Sequence, residues 1–480
     1  MTEQISSFLG GSWRPAGEGW RVTNPATGEP VADVTRATAE DLDVAVTTAR
    51  DTWTWSRFAS VAERVGWCER LAGVLEDRAG ALARDLSEEH GKPLAEAAAE
   101  VAAGIRGFRL AAEEALRLEG RVIPVMDPHK RVLAVRQPRG VWAVLTPWNF
   151  PFNIPIEYLG PALATGSPVI WKPAPSTPRI AARLLAAMRD AGVPEGMVQL
   201  LLADGVEIAS RLTTHPGVDA IALTGGSATG RAVAKAAWDK HLLLELGGNG
   251  PMIVLDDADV PAAAAAVASS AFTNAGQVCS AAGRVLVSER TADELVASVS
   301  ELAAKLVVGD PFDSSTTMGP VHQQAVADRT VRHVRDAVDQ GARLVAGGGL
   351  VEGAPTPLFV RPTVLDGVPL EADAATQETF GPLVPVIRLP DDEAVLAAAN
   401  ASGLGLMSAV FTRSMSRAWW FAERLETGGV VINDESNYWE LHLPFGGWAG
   451  KRSGRGRLGG ATTLQEFTQV KVISMDVRQP

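Results

Sequence analysis

From Arg139 onward the chain alternates short apolar runs with amphipathic stretches. Val141–Leu145, Pro168–Trp171, Val198–Leu202, Val218–Leu223, Leu242–Glu245 and Met252–Leu255 carry apolar residues at consecutive positions and are too short for helices. They predict strands buried on both faces. Between them, Thr177–Ala191 and Ser227–Trp238 repeat apolar residues with helical period; Ser/Thr start signals open both, and Gly192 closes the first. Strand–helix alternation of this kind predicts a parallel sheet covered by helices. Val44–Leu116 reads as largely helical and is expected to pack around that sheet.

The pattern restarts after Asp259. Helices are predicted at Ala262–Asn274, Ala292–Leu306 and Gln324–Gln340, and strands at Arg284–Val287, Val384–Leu389, Ser408–Phe411 and Val430–Asn433. These form a second α/β unit. Gly120–Pro138 and Leu464–Val477 are extended and partly alternating and fit neither sheet; they are expected to pair across subunits as an oligomerisation flap. No tandem repeat or low-complexity linker interrupts the chain.

At 480 residues the chain is too long for one core, so two or three domains are expected. A formal net charge of −12 works against phosphate backbones. The densest basic run, Lys451–Arg457, reads as a solvated loop, so nucleic acid is not an expected partner. Two cysteines, Cys68 and Cys279, do not make a disulfide scaffold and fit a reducing compartment. Met1–Pro15 lacks the charged-then-apolar order of a secretory signal, and no stretch reaches about 18 uninterrupted apolar residues. A cytoplasmic protein without a membrane span is expected.

Few residues suggest chemistry. Cys68 sits in a helical run and reads as packing. Cys279 follows Gly276-Gln277 at a helix-to-strand junction, where a side chain can project into a cleft; it reads either as a buried small hydrophobe or as a nucleophile. Glu245 ends an apolar strand before Gly247-Gly248, as a base whose pKa burial would raise or as half of an ion pair. Asn149, in Trp148-Asn-Phe-Pro151, either aims its amide at an oxyanion or simply makes a turn. Thr224-Gly-Gly-Ser-Ala-Thr-Gly230 joins a strand to a helix, as a phosphate loop or a plain connection. Gly454–Gly459 matches G-x-G-x-x-G formally, but no apolar strand precedes it, so the motif is set aside. No Walker A sequence or zinc-ligand cluster is present, and no metal is expected.

Taken together, these segments resemble the aldehyde dehydrogenase superfamily, from Asn24-Pro-Ala-Thr-Gly28 to Pro444-Phe-Gly-Gly447. Six pieces occur in the family's order: Pro147–Pro151, Lys172–Pro178, Thr224–Gly230, Leu244–Gly248, Phe272 with Gly276-Gln277 and Cys279, and Glu378–Pro382. The tail Ser453–Gly460 and Lys172–Pro175 also resemble the benzaldehyde and vanillin group. The resemblance implies an α/β, aldehyde dehydrogenase-like fold with two Rossmann-like parallel-sheet domains and a small β oligomerisation flap. Residues 1–118 and 139–250 would be the dinucleotide-binding domain and 251–449 the catalytic domain. Residues 119–138 and 450–480 would be the oligomerisation segment and tail of a homodimer or homotetramer.

The resemblance also implies roles. Cys279 would attack the aldehyde, Asn149 and the Cys279 N–H would hold the oxyanion, and Glu245 would activate water against the thioester. Lys172 would bond the adenine ribose and Glu378 the nicotinamide ribose. Phe380 would pack beside the nicotinamide, Trp148 would sit near the phosphates, and Gly225, Gly226 and Ser227 would approach the pyrophosphate. NAD-preferring members carry Glu where this chain has Pro175, so use of both NAD and NADP is expected. Gly226 replaces a Ser of many relatives. The substrate pocket carried over is Phe150, Ile154, Glu157, Trp439 and Phe445, with Val278 and Ser280 flanking the nucleophile. Bulky Trp439 and Phe150 suggest an aromatic or apolar aldehyde. The alternative is an aliphatic semialdehyde or an amino or hydroxy aldehyde. Glu157 would then either meet a hydroxyl or amine or be ion-paired elsewhere. A cysteine hydrolase is disfavoured because no histidine sits in a partner motif. Acyl transfer to coenzyme A is disfavoured by Glu245, which those members usually lack.

Overall fold

The apolar runs of the first half assemble, in the computed structural model describing residues 2–478, into an eight-stranded sheet. Met1, Gln479 and Pro480, the ends of the expected outer segments, lie outside the described residues. The strand order is Gly454–Arg455, His241–Glu245, Ala220–Thr224, Trp142–Leu145, Val169–Lys172, Val198–Leu200, Phe8–Leu9 and Ser12–Trp13. The middle five, from His241–Glu245 to Val198–Leu200, are parallel. Trp142–Leu145, Val169–Lys172 and Ala220–Thr224 are buried at every residue, which accounts for their unbroken apolar character.

Trp142–Leu145 comes first in the chain among these five, yet it has later strands on both sides. The sheet therefore reverses direction between it and Ala220–Thr224. Such a reversal opens a crevice at the carboxyl ends of the two strands, here formed by the segments starting at Thr146 and Gly225.

Helix Ala39–Ser56 packs on one face of the sheet, in the cluster of Val141, Ala143 and Ile170, and helices Val61–Asp77, Ala79–His90 and Leu94–Ala115 belong to the cluster of the other face, with Trp142, Val144 and Trp171. The first two begin with capping boxes, Thr38 with Asp41 and Ser60 with Glu63. A three-stranded sheet, Glu3–Ile5, Pro30–Thr35 and Gly19–Thr23, precedes them.

The second sheet has seven strands in the order Arg343–Ala346, Thr363–Asp366, Leu383–Leu389, Arg284–Ser288, Pro251–Val254, Met407–Phe411 and Gly429–Ile432. All neighbours are parallel except the Arg343–Ala346 edge pair. Only Leu246–Gly250 separates His241–Glu245 of the first sheet from Pro251–Val254 of the second, so Glu245 sits at the seam.

Several sequence expectations change. The helix read as Ala262–Asn274 ends at Phe272, because Asn274, Ala275 and Gly276 turn left-handed with φ of 52, 55 and 75°. The basic run Lys451–Arg457 is no solvated loop. Lys451 Nζ donates to the Asn400 and Ser402 carbonyls at 2.7 and 3.0 Å, and Gly454–Arg455 pairs with Leu244–Glu245. Ser453 is buried, its hydroxyl donating to the Gly247 carbonyl at 2.7 Å. The run thus latches the seam.

Leu464 to Phe467 belongs to a helix, Gly460–Phe467. The segment that follows, Thr468–Asp476, pairs antiparallel with Lys130–Pro138 of the same chain, with Arg121–Ile123 on the far side. Among the described residues no helix is long and apolar enough to cross a membrane.

Candidate active site

Asn149 follows the first parallel strand, and its position is set from beneath. Lys92, buried to 1% exposure, donates to the Asn149 carbonyl at 3.0 Å and to Glu100 at 2.6 Å. It also lies 4.3 Å over the Phe150 ring. The other Glu100 oxygen accepts from the Phe152 and Asn153 N–H groups at 2.9 and 3.1 Å. One buried ion pair therefore fixes the whole turn from Asn149 to Asn153.

Cys279 reaches the same place from the segment that leads into the second sheet. Its segment leaves helix Val260–Phe272 through the left-handed run at 274–276. A non-glycine residue adopts that backbone only when its surroundings hold it there. Here the Asn274 N–H donates to Glu96, and its amide donates to the Asn149 and Gln277 carbonyls at 2.9 and 3.3 Å. At Gly276 a Cβ would come within 2.3 Å of the Gly381 carbonyl oxygen, so only glycine fits. The Asn149 side chain donates to the Gln277 carbonyl at 3.0 Å and keeps its second N–H. Gly248 passes so close to Cys279 that a Cβ there would stand 2.0 Å from the Cys279 oxygen.

Strand register sets Thr224 beside Glu245, and the Thr224 hydroxyl meets Tyr158 OH at 2.5 Å. Glu245 Oε1 is buried without a partner. Burial pushes the carboxyl up to about 8, against a hydrogen bond with Cys279 that lowers it. Burial, then the Glu245 and Glu378 carboxylates, hold the partly exposed Cys279 thiol well above its ordinary value. Burial likewise lifts Glu378 to about 7, opposed by the Gly248 N–H and by Arg329. Burial therefore disfavours the charged form of both members of the pair.

Cys279, Glu245 and Asn149 share one cleft of about 250 Å³ with Trp148, Gly225, Gly226, Arg329, Glu378 and Phe380. It lies at the sheet's reversal point. Helix Ser227–Ala236 opens onto it with Gly226 at the N-cap, no side chain bonding the terminal N–H groups, and nothing within 4 Å of where a Gly226 Cβ would stand. Free helix N–H groups beside bare glycine backbone are what a pyrophosphate requires, so these residues fit a dinucleotide.

Other expected cofactor residues stand apart from the cleft wall. Lys172 ends the neighbouring strand, its ammonium lowered by burial to about 8. The Pro175 carbonyl accepts from the Trp20 indole at 2.7 Å. The Ser227 hydroxyl is already donated to the Arg452 carbonyl at 2.9 Å.

None of the expected substrate residues is part of that cleft's wall. Phe150, Ile154, Trp439 and Phe445 belong to the same apolar cluster as Cys279, and Val278 is buried beside it in the chain. Trp439 packs against Phe445 at 5.4 Å and donates its indole N–H to the Leu443 carbonyl. Ser280 is buried, its carbonyl accepting from Ser436. Glu157 accepts from Asn153 at 2.7 Å. Lys92, Glu100, Asn153, Tyr158, Asn274 and Gln277 had no role in the sequence reading. Only Gln277 had been noted, as part of a motif. Among the described residues no cluster of His, Cys, Asp and Glu suited to a metal occurs.

A doubly wound sheet with a glycine-lined crevice at its reversal point defines a dinucleotide-dependent enzyme. The chain belongs to the aldehyde dehydrogenase family, whose model matches residues 13–473, and it is an NAD(P)-dependent enzyme that oxidises aldehydes. It is 36% identical to glutarate-semialdehyde dehydrogenase of Pseudomonas putida, over 98% of each chain. It is 35% identical to the NADP(+) succinate-semialdehyde dehydrogenase of Escherichia coli, over 97% of this chain and 96% of that one. The structure of betaine aldehyde dehydrogenase from Staphylococcus aureus in complex with NAD+ superposes with a TM-score of 0.95 at 30% identity, covering 99% of this chain and 95% of that one.

Removing one partner of a buried ion pair costs about 3–5 kcal/mol. Lys92→Met should therefore lower Tm markedly, and adding Glu100→Gln should recover part of the loss. A Lys92→Met Tm within about 1 °C of wild type would show that the pair does not hold the turn.

Proposed function

We propose that the chain oxidises an aliphatic aldehyde with a polar far end to its acid, using NAD or NADP, through Cys279, Glu245 and Asn149. The observation that carries this reading is the single cleft in which that thiol, carboxyl and amide meet the glycine-lined crevice. In this reading 1–118 with 139–250 bind the dinucleotide and 251–449 supply the thiol. Gly225, Gly226 and the first turn of helix Ser227–Ala236 take the pyrophosphate. Lys172, Trp148, Glu378 and Phe380 hold the riboses and the nicotinamide end.

When bound, the dinucleotide supplies the acceptor for a hydride. The chain's own residues do the rest. The Cys279 sulfur passes its proton to Glu245, which releases it to solvent, and bonds to the aldehyde carbon, while the free Asn149 N–H with the Cys279 N–H holds the oxygen that becomes negative. Each such donor is worth about 3–4 kcal/mol. Hydride loss leaves a thioester on Cys279. Glu245 takes a proton from water as the water oxygen bonds to the acyl carbon. The carbon–sulfur bond then breaks, releasing the acid and the thiolate.

The aliphatic substrate is supported by the two semialdehyde dehydrogenases that the chain resembles over nearly its full length. Phe150 and Trp439, which suggested an aromatic aldehyde, do not line the cleft that holds Cys279; Lys92 lies over Phe150, and Trp439 packs at a tilt against Phe445. Pro175, where a carboxylate would repel a 2′-phosphate, supports use of both cofactors. The edge strand Thr468–Asp476, with Val470, Val472 and Met475 exposed, supports pairing with a second copy. Two free cysteines suit the cytoplasm.

The test is absorbance at 340 nm with aliphatic and aromatic aldehydes and either cofactor. Cys279→Ala should abolish oxidation while cofactor binding survives; retained turnover would refute the assignment. Glu245→Gln should keep a burst of reduced cofactor and lose steady-state turnover. Because Glu245 acts as a base and its carboxyl lies near 8, kcat should rise with pH up to about 8 and fall below it; a flat profile from pH 6 to 9 would contradict this. NADP should give a kcat/KM within about a thousandfold, or ~4 kcal/mol, of that with NAD.

A further inference from the structure

Trp148 and Asn149 are consecutive in the turn after strand Trp142–Leu145, and the residues on either side of Gly91 hold them. Lys92 donates to the Asn149 carbonyl, while His90 packs its ring beside the Trp148 indole, centroids 6.1 Å apart. His322 completes the packing. Its ring stacks on Trp148 at 4.9 Å and 24°, and on His90 at 4.9 Å and 11°. Phe380 stands perpendicular to the indole at 5.7 Å. Trp148 and Phe380 line the cleft that holds Cys279; the two imidazoles are buried and do not.

The segment carrying His322 is pressed onto the helix end, since a Cβ at Gly319 would stand 2.1 Å from the Gly91 carbonyl oxygen. The His322 backbone N–H donates to Gln277 Oε1 at 2.7 Å. Burial holds both imidazoles below their ordinary value, His322 at about 4, so the stacked faces carry no charge. His322 Nδ1 lies 3.0 Å from the His90 carbonyl, which can only accept, so Nδ1 carries the proton. Nε2 is then the acceptor, and the Ser176 hydroxyl donates to it at 2.8 Å. The ring is locked in one tautomer and one orientation. Neither ring nitrogen of His90 has a hydrogen-bond partner among the described residues, so what that ring supplies is its face.

We infer that His322 is a positioning residue for the dinucleotide: its ring face fixes the plane of Trp148, and through that plane it sets cofactor affinity. The inference rests on the reading that this cleft takes the dinucleotide. An aliphatic side chain would bury the indole equally well, but it would not choose its tilt; a flat ring anchored at both nitrogens does. A wall that keeps one plane before binding spares the cofactor the cost of ordering it.

The test is the dissociation constant for NADH, followed by the cofactor's fluorescence, in a double-mutant cycle of His322→Asn and Trp148→Leu. H322N keeps a donor for the His90 carbonyl and removes the ring. It should weaken NADH about tenfold alone and less than about twofold beside W148L, where the indole it acts through is gone. H322F restores a flat face without either ring nitrogen and should bind within about threefold of wild type. H322L, which fills the space without a ring, takes the place of H322N should that variant not fold.

Unchanged NADH binding in H322N overturns the inference. So does a loss of the same size in both backgrounds, or H322F binding as weakly as H322N. W148L should itself weaken NADH; binding as tight as wild type would instead refute the placing of the cofactor in this cleft, and the inference with it.

Discussion

The candidate site depends on one buried contact, the Lys92 ammonium held between Glu100 and the carbonyl of Asn149. Lys92 follows the helix end at Gly91, and Glu100 lies on the next helix. Together they clamp the turn that leaves the first parallel strand. The same Asn149 carbonyl accepts from Asn274, just after the helix that follows the second sheet's strand Pro251–Val254. A single backbone oxygen therefore ties the amide to the segment that carries the thiol. With two charges at 1% and 2% exposure, the pair is weak evidence for net stability but strong evidence for a fixed geometry. The left-handed run at 274–276 is sustained by the same bonds, so the strain is stored where the thiol must be aimed.

Charge gives the cleft its second character. Glu245 and Glu378 share the cleft with the thiol, and burial raises both carboxyls. Proton transfer between sulfur and carboxyl then involves two groups that both resist ionisation. That suits a cycle in which a proton leaves Cys279 on attack and another reaches Glu245 on hydrolysis.

Much of this was legible in the chain because it is local. Consecutive apolar residues marked each parallel strand, and the turns after them contained Asn149, Gly225-Gly226 and Glu245. The two-residue strands Phe8–Leu9 and Ser12–Trp13 are too short to show any period. Lys92 before Pro93 resembles an ordinary helix start, and Glu100 in an alanine-rich helix resembles a solvated face. Their partners lie 57 and 52 residues away and are largely backbone groups, which carry no residue signature. Lys451 was misread for the same reason, since it satisfies the carbonyls of Asn400 and Ser402. The bulk of Trp439 and Phe150 was visible, but not that neither lines the cleft holding Cys279.

The account stands on a carbon–sulfur bond at one residue. The direct measurement is mass spectrometry of Glu245→Gln, mixed with an aliphatic aldehyde and oxidised dinucleotide and quenched in acid before hydrolysis. The prediction is one acyl group per chain, located on the peptide containing Cys279. An unmodified Cys279 under conditions where reduced cofactor has formed, or an acyl group on Cys68, would contradict it.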